Sequence, residues 1–371
     1  MPTPPAEKPL NEQWLVLRQF LPPGWEEQAR RSGALLRARG VRNADDLLRT
    51  LLIHLAAGHS LLESSVRARR AGLAELSSVA LFKRLQAAEE WLRWLAAGER
   101  DLLVPGVPAC SRRLRAVDAT AVSEPGSTGT DWRIHYAINL IDLQCDFFEL
   151  TDVHGGETWR RVPIAVGDVV LGDRIYANPA GVEHVLRAGG DAVVRLNPHT
   201  LPLFTESGEK LDALRAVRGL KVGEVRDLPA WVHTRPGVRR AGRLIALRRS
   251  ATATRLARRK LQRKASKQQK KVSPRSWKAA QYFLLWTSLP ASVGAGEILE
   301  FYRCRWQIEL GFKRLKSILG FGHLPKKDPA SARAWLHGKL LTSLLVERLI
   351  QAANTFSPWG YQVAGTPLPL A

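Results

Sequence analysis

The chain has 371 residues, of which 45% are hydrophobic, so it is not a disordered protein and has room for more than one packed domain. Its formal net charge of +22 exceeds what solubility requires and predicts a polyanionic partner, nucleic acid first and a membrane surface second. No apolar run reaches the roughly 18 residues of a membrane span, and the polar N-terminus does not resemble a signal peptide, so we expect a cytoplasmic protein. Cys110, Cys145 and Cys304 stand singly and predict neither a zinc site nor a disulfide framework.

Residues 1–105 are predicted to form a helical N-terminal domain. Asn43 is a suitable helix start, and leucines follow it at helical spacing from Leu47 to Leu55. Basic residues such as Arg67 lie on or near these helices. A small basic helical module is typical of DNA-docking units. A packing cap with solvated arginines explains the same pattern, and the sequence leaves these two interpretations equal.

After a proline-containing linker at residues 101–110, the pattern changes to β-strands. Short runs of small, β-branched and aromatic residues alternate with turn residues, and the segment after Asn178 predicts a helix that ends at two glycines. Three strands, a short helix, a strand, a helix and a strand are typical of a mixed α/β layer. The strands are predicted at residues 114–122, 132–142, 144–153, 168–178 and 191–197.

Residues 198–290 combine short β-like pieces with a strongly basic run. Strands are predicted at Arg243–Arg248 and Tyr282–Ser288. Between Arg235 and Lys278 there are 17 Lys or Arg residues and no Asp or Glu. Such a run is typical of a solvated, mobile or nucleic-acid-contacting segment, and its lack of acidic residues argues against a simple salt-bridged helix. Helical periodicity returns after this interval.

One C-terminal segment, YRCRWQIELGFKRLK at residues 302–316, places four polar residues at spacings of three, four and seven. On one α-helix these residues share a face, where a single carboxylate stands beside an aromatic hydroxyl and two cations. An amphipathic helix with an ordinary i,i+4 ion pair explains the same spacing, so a catalytic role requires acidic partners from elsewhere in the chain. The four residues are Tyr302, Arg305, Glu309 and Lys316.

Two upstream aspartates stand where such partners are expected. Asp118 interrupts one predicted strand, in AVDATAV, and Asp173 closes another, in VVLGDRIYA. Either one alone is more simply explained as a strand-end residue that caps a loop. With Glu309 they form a three-carboxylate set suited to Mg²⁺ or Mn²⁺, and two such ions can activate the attacking oxygen and stabilise the leaving oxygen of a phosphodiester displacement. The net charge then predicts a nucleic acid backbone as the substrate.

These motifs resemble those of DDE transposases of the insertion-sequence-four type, which have a ribonuclease-H-like core interrupted by a β-rich insertion. The helical signature YxxRxxxExxxxxxK is the most specific match. The other matching motifs are VDAT at residues 117–120 and LGDRIYA at 171–177, with weaker matches in HGGET at 154–158 and LLWTS at 284–288. The likeness covers the chain from about Leu47 to Leu349.

The resemblance implies roles for particular residues. Ile175 stands where relatives often have glycine. Phe283 takes the place where some relatives carry a tryptophan that stacks on a flipped base, although an aromatic core strand explains Phe283 equally well. The implied catalytic and metal-binding triad is Asp118, Asp173 and Glu309. The implied contacts to terminal DNA phosphates are Tyr302, Arg305 and Lys316. Further predicted DNA contacts are Arg174 and, in the basic run, Arg258, Arg259, Lys260, Arg263 and Lys264.

The expected fold class is mixed α/β in four parts. These are an N-terminal helical, DNA-binding domain (1–105), a discontinuous ribonuclease-H-like catalytic domain (106–197 with 291–350), a β-rich basic insertion (198–290) and a short tail (351–371). The expected function is a cut-and-paste transposase that binds terminal inverted repeats, cleaves element ends by hydrolysis with Mg²⁺ or Mn²⁺, and joins them to target DNA. The resemblance implies a hairpin intermediate and a homodimeric synaptic complex. Two alternatives stay open: a ribonuclease-H-like nuclease without strand transfer, and a non-catalytic DNA-binding protein.

Overall fold

The secondary structure is defined over residues 14–103, 112–127, 129–322 and 324–355, the part of the chain that this computed structural model describes. The strands are β1 (Arg113–Val122), β2 (Trp132–Asn139), β3 (Cys145–Asp152), β4 (Asp168–Gly172), β5 (Asp191–Arg195), β6 (Leu203–Phe204), β7 (Lys210–Leu211), β8 (Val225–Pro229), β9 (Trp231–Arg235), β10 (Val238–Arg240), β11 (Arg243–Arg248) and β12 (Tyr282–Thr287). The helices are α1 (Trp25–Arg31), α2 (Ala44–Leu55), α3 (Leu61–Arg70), α4 (Ser78–Ala87), α5 (Glu89–Leu103), α6 (Pro179–Arg187), α7 (Ala213–Ala216), α8 (Ala251–Lys267), α9 (Pro274–Ala279), α10 (Ala295–Cys304), α11 (Gln307–Ile318) and α12 (Pro329–Thr355), with a 3₁₀ turn at Trp159–Arg161.

Eight strands form one sheet in the order β3-β2-β1-β4-β5-β12-β11-β8. The strands β1, β2 and β3 are antiparallel neighbours, whereas β4 runs parallel to β1 and β5 runs parallel to β4. Antiparallel pairing continues through β12, β11 and β8. The order and directions of β3-β2-β1-β4-β5 are those of a ribonuclease-H-like core, so the predicted mixed α/β class is confirmed.

The interval predicted as a β-rich insertion contributes to two sheets. Its strands β8, β11 and β12 extend the large sheet, which therefore crosses the predicted boundary at residue 198. The short strands β6, β7, β9 and β10 form a second sheet in the order β10-β9-β6-β7. The basic run is helical in α8, where Ser250 accepts a hydrogen bond from the Ala253 amide and caps the first turn. The division of the chain into domains stays a prediction.

The two faces of the large sheet are covered by different helices. On one face, Ala116 and Ile134 belong to a core that includes the N-terminal helices, α11 and α12. Further along the same face, Val169 packs with Ile298 of α10. On the opposite face, Val170 belongs to a core that includes α6 and the 3₁₀ turn. Because successive strand residues point to opposite faces, this burial pattern fixes which side of β1 and β4 meets α10 and α11.

The N-terminal helices begin where the sequence predicts. Asn43 accepts a hydrogen bond from the Asp46 amide at the start of α2, which satisfies one of the free amides of the first turn. The long helix α12 packs along α5, α4 and α2, and it therefore joins the N-terminal helices to the sheet. None of the described helices is both long and apolar enough to span a membrane.

The prediction of a single helix over residues 302–316 is wrong. Arg305 and Trp306 separate α10 from α11, and their amides bond to carbonyls three residues back rather than four. The two helices serve different parts of the core, since Tyr302 packs with the β4 and β12 region and Phe312 packs with the β2 and N-terminal region. The tightened junction redirects the chain between these two surfaces.

Three predicted segments lie wholly or partly outside the described residues. The first residues of the predicted N-terminal domain, 1–13, are outside them. Of the predicted linker at 101–110, the first three residues belong to α5 and the rest lies outside. The tail predicted at 351–371 begins as the end of α12, which continues to Thr355, and the remainder lies outside.

Candidate active site

Asp118 and Asp173 lie side by side on neighbouring parallel strands. The register of β1 and β4 pairs Ala116 with Leu171, so each aspartate stands two residues beyond a paired position and points to the same face. Neighbouring strands are about 4.8 Å apart. The register therefore brings both carboxylates to one level, at the end of β4, on the face covered by α10 and α11.

The chain turns sharply after Asp173. Its Oδ1 accepts a hydrogen bond from the Ile175 amide at 2.7 Å and closes an Asx turn. Ile175 is exposed and is not among the described residues with positive φ, so this turn does not require glycine. Gly172 differs, because a Cβ there would lie 2.6 Å from Trp159 and 2.7 Å from Tyr176. The small residue lets these two buried rings pack directly behind the aspartate.

Arg305 connects Asp118 to Glu309. Its Nη1 donates to Asp118 Oδ2 at 3.2 Å, and its Nη2 donates to Glu309 Oε1 at 2.7 Å. The side chain of Arg305 is 13% exposed, whereas that of Glu309 is 55% exposed near the start of α11. The strand carboxylate and the helix carboxylate therefore meet at one guanidinium, and the predicted i,i+4 pair is one half of a three-residue bridge.

The carboxylates influence one another's ionisation. Burial raises the pKa of Asp118, and the nearby charges of Asp173 and Glu309 raise it further, against the opposing effects of an amide hydrogen bond and the guanidinium. Glu157, from the HGGET motif, is a fourth acidic group: burial, followed by the charges of Asp118 and Asp173, raises its pKa. It pairs with Arg133 at 3.5 Å. Glu157 was not predicted as a site residue, and its place after a Gly-Gly turn was the indication available.

Three arginines border the site on the β5 side. The guanidinium carbons of Arg195 and Arg249 lie 5.4 and 5.3 Å from the ring centre of Phe283. Burial, followed by repulsion from Arg195 and Arg249, lowers the pKa of Arg174 to about 10. Within the described residues, none of the three forms an ion pair with a carboxylate. This arginine group, defined as Arg174, Arg195 and Arg249, therefore favours an anion between its members.

The aromatic residues at the site are placed differently from expectation. Tyr302 is buried edge-on against Phe283, with 5.4 Å between ring centres, and burial raises the pKa of its hydroxyl to about 12. Phe283 is only partly exposed and contacts two guanidiniums, so its ring is not free in this state. Trp306, by contrast, is 54% exposed beside Arg305. Its position was not predicted, because a continuous helix does not distinguish it from its neighbours.

The remaining predicted DNA contacts are exposed cations. Lys316 lies in the last turn of α11, and no carboxylate in the described part of the chain pairs with it. Helix α8 has no buried residue and stands beside a cavity of about 570 Å³. Lys260 and Lys264 line this cavity together with Arg174, Arg195 and Arg249. The cavity thus connects the basic helix with the arginine group.

The other predicted DNA contacts of the basic run lie on α8 and divide into two kinds. Arg258 stacks on Trp277, with its guanidinium carbon 4.7 Å from the ring centre, so it has a packing contact within the fold. Arg259 and Arg263 are exposed and face solvent. Of these three arginines, Arg259 and Arg263 can contact a partner without a rearrangement of the fold.

A divalent ion fits the chemistry of the three carboxylates but not their present spacing. Carboxylate oxygens are the donors that Mg²⁺ and Mn²⁺ prefer. Among the described residues, no three Asp, Glu, His or Cys side chains are grouped closely enough to hold a metal ion as they stand. The Arg305 guanidinium already serves as the cation for Asp118 and Glu309. The donor set is therefore suited to a cation, and a cationic group stands in for it.

Known proteins similar to this chain are transposases. Residues 110–345 match the family described as Transposase DDE domain. The chain is 34% identical over 360 residues to the putative transposase InsL for insertion sequence element IS186A of Escherichia coli strain K12. The alignment covers 94% of this chain and 96% of that protein. It is also 34% identical over 361 residues to the transposase for insertion sequence element IS421 of Escherichia coli, at the same coverage.

Among solved structures, a piggyBac transposase synaptic complex with hairpin DNA is similar at 10% sequence identity and a TM-score of 0.41, covering 96% of this chain and 84% of that chain. The matched domain spans most of the chain, and the two Escherichia coli transposases are 34% identical to it over 94% of its length. This chain belongs to the DDE transposase family.

Proposed function

We propose that this transposase cleaves DNA at the ends of its own element and joins those ends to target DNA, with Asp118, Asp173 and Glu309 as its catalytic carboxylates. The observation that carries the proposal is the pairing of Asp118 and Glu309 through Arg305. The register of β1 and β4 places Asp173 beside Asp118. A net charge of +22 supports DNA as the substrate. Acidic groups gathered within so basic a chain suit metal-assisted phosphodiester chemistry.

The three carboxylates are held in different ways, which suits different tasks. Paired strands fix Asp118 and Asp173 relative to each other, whereas Glu309 extends from a helix and can adjust by side-chain rotation. When bound, Mg²⁺ or Mn²⁺ supplies Lewis-acid activation of the attacking oxygen and neutralises charge on the leaving oxygen. The protein's own part is to hold two such ions, to orient the phosphate and to keep attacking and leaving oxygens in line.

Phosphate contacts are proposed on both sides of the carboxylates. Arg305 and Lys316 lie on the α11 side, and the arginine group lies on the β5 side. A guanidinium binds phosphate oxygens through two parallel hydrogen bonds, whereas a lysine acts as a point charge. A phosphate between Arg174, Arg195 and Arg249 would relieve their mutual repulsion, so that part of the binding free energy would come from removing an unfavourable interaction.

An unpaired base near the cut is proposed to stack on an aromatic ring of the site. Trp306 is exposed beside Arg305 and can accept a base without any rearrangement. Phe283 can do so only after Arg195 and Arg249 move away from its ring. The DNA phosphate contact expected of the Tyr302 hydroxyl likewise requires that its buried ring become accessible.

Recognition of the element ends is assigned to two basic surfaces. Helix α8 supplies phosphate contacts without sequence preference, through Arg259, Arg263 and the cavity-lining lysines. The N-terminal helices are proposed to read the terminal inverted repeats. Helix α3 exposes aliphatic residues beside arginines, a combination that suits thymine methyl groups and guanine edges in the major groove. The exposed residues of α3 that suit this role are Leu62, Val66, Arg69 and Arg70.

The test is cleavage and joining of labelled DNA that carries the element's own terminus. Full-length protein with Mg²⁺ is expected to cut at the terminus and to yield products joined to a second duplex. A hairpin on the cut end and a dimeric complex in size-exclusion light scattering are the further expected outcomes. Cutting without joined products would favour a nuclease without strand transfer. Binding without any Mn²⁺-dependent nicking would favour a non-catalytic DNA-binding protein and would overturn the proposal.

A further inference from the structure

Among the described residues, the guanidinium of Arg305 donates hydrogen bonds to two members of the proposed triad. It reaches Asp118 Oδ2 at 3.2 Å through Nη1 and Glu309 Oε1 at 2.7 Å through Nη2. The side chain is largely buried, and its Nε has no hydrogen-bond partner among the described residues. Both terminal nitrogens of the guanidinium therefore donate to carboxylates, whereas Nε makes no hydrogen bond within the described residues that would stabilise this position.

A divalent ion at the same carboxylates competes with this bridge. The bridging guanidinium uses an oxygen of Asp118 and an oxygen of Glu309, and its positive charge lies where a bound ion would place its own. Two cations that share the same carboxylates repel each other strongly at low effective dielectric. Among the described residues, no group of three Asp, Glu, His or Cys side chains is arranged to hold a metal ion as it stands. Arg305 must withdraw before Asp118 and Glu309 can close on a metal.

A DNA phosphate offers Arg305 an alternative partner. The guanidinium carbon lies 5.7 Å from the Tyr302 ring centre, and Tyr302 in turn meets Phe283 beside Arg195 and Arg249. An anion drawn to that side of the site comes within reach of Arg305 by side-chain rotation. Arginine–phosphate bonds are charge-assisted and bidentate, as are those to a carboxylate, so the exchange of partners costs little.

We propose that Arg305 is a positioning residue that couples metal binding to DNA binding. In the free protein it satisfies Asp118 and Glu309 and weakens their affinity for a divalent ion. When a phosphate takes Arg305, the two carboxylates are released to bind metal. Because linkage is reciprocal, metal also strengthens phosphate binding by the same factor. The inference rests on the proposed function, in that Asp118 and Glu309 are taken as metal ligands.

The experiment measures Mn²⁺ binding to full-length protein without DNA, from the electron paramagnetic resonance of free Mn²⁺. Arg305→Gln is expected to bind Mn²⁺ at least about fivefold more tightly than the natural protein, the lower end of typical coupling between sites. Arg305→Lys, which keeps the charge but cannot span both carboxylates, is expected to fall between the two. Arg303→Gln is the matched control, since Arg303 carries the same charge two residues earlier in α10, is 79% exposed and pairs with Glu300.

A second arm adds a 5′-phosphorylated blunt duplex at saturating concentration. The duplex is expected to tighten Mn²⁺ binding to the natural protein by the same factor and to leave Arg305→Gln unchanged. Equal Mn²⁺ affinity of Arg305→Gln and Arg303→Gln, or an equal gain from DNA in both, overturns the inference. Asp118→Asn distinguishes failure of the proposed metal site from failure of the proposed coupling. If Asp118→Asn binds Mn²⁺ as the natural protein does, the proposed metal site is wrong. If Asp118→Asn loses Mn²⁺ binding while Arg305→Gln gains none, only the coupling is wrong.

Discussion

The carboxylate site and the basic helix α8 hold their charged groups in opposite ways. Strand register fixes Asp118 and Asp173, and Arg305 compensates Asp118 and Glu309. Helix α8 has no buried residue, and many of its cations are exposed to solvent. The contrast teaches that acidic chemistry needs a defined geometry supplied by long-range pairing, whereas attraction to a polyanion needs only charge density. Substitutions in the first region should therefore act in an all-or-none manner, and those in the second should act by small increments.

The largest expected effect is loss of a catalytic carboxylate. Asp118→Asn, Asp173→Asn and Glu309→Gln are each expected to lower the cleavage rate at least about 10³-fold, because the metal-assisted activation of both reacting oxygens is lost. Binding of end DNA is expected to change by less than about threefold. Single-turnover cleavage and a filter-binding titration check both numbers. A variant that cleaves at the natural rate would remove its residue from the triad.

A smaller effect is expected behind the aspartates, at Gly172. Gly172→Ala places a methyl group against Trp159 and Tyr176, and relief of this overlap is expected to cost about 1–3 kcal/mol of unfolding free energy. Gly156→Ala is the matched control, because a Cβ there meets nothing within 4 Å. Urea unfolding monitored by tryptophan fluorescence measures both. Equal stability of the two variants would show that the rings can yield.

Glu347 of α12 predicts a pH-dependent contribution to stability. Burial raises its pKa to about 7, and its Oε2 has no hydrogen-bond partner among the described residues. Since the folded-state pKa lies above the unfolded value of about 4.3, the folded protein binds the proton more tightly. Stability is therefore full below the unfolded pKa and falls as pH rises towards and through 7.

The substitution Glu347→Gln sharpens this point, because glutamine stays neutral at every pH. It is expected to raise the unfolding free energy by on the order of 2 kcal/mol at pH 8, after allowance for partial exposure, and to have little effect at pH 4. Thermal melts at the two pH values measure the difference. Glu300→Gln, at an exposed position, serves as the control. A stabilisation that is the same at both pH values would contradict the account.

The smallest effects are expected on α8. Arg259→Gln and Arg263→Gln are each expected to weaken DNA binding several-fold and to reduce the slope of log affinity against log salt by about 1, as for one phosphate contact. The change should be the same for any DNA sequence. Arg258→Gln is expected to alter stability as well, because Arg258 stacks on Trp277. A loss that is confined to one sequence would contradict the proposed role of α8.

Much of the sheet was predictable, because its strands carry strong local patterns. The positions of Asp118 and Asp173 within or after β1 and β4 follow from apolar runs that each aspartate interrupts or ends. Their register does not follow from either run alone, because strand pairing is a long-range property. Glu157 escaped prediction for the same reason, since its approach to the aspartates depends on the path of a loop.

The junction at Arg305 and Trp306 could not be predicted from the sequence. Every residue from Tyr302 to Lys316 is compatible with a helix, and the apolar period continues across the break. The break arises because α10 and α11 pack against different parts of the core, which no local pattern records. The helical state of α8 also differs from the prediction, because the helix-forming residues of the run determine its local structure although its charges predict a solvated segment.

Metal dependence of a cysteine variant tests the central claim most directly. In Asp173→Cys a thiolate replaces the carboxylate, and thiolate is a poor ligand for Mg²⁺ but binds the softer Mn²⁺. If Asp173 holds a catalytic ion, this variant will cleave end DNA measurably with Mn²⁺ and at background level with Mg²⁺, while the natural protein uses both. A variant that cleaves equally well with both ions would contradict the assignment of Asp173 as a metal-binding catalytic residue.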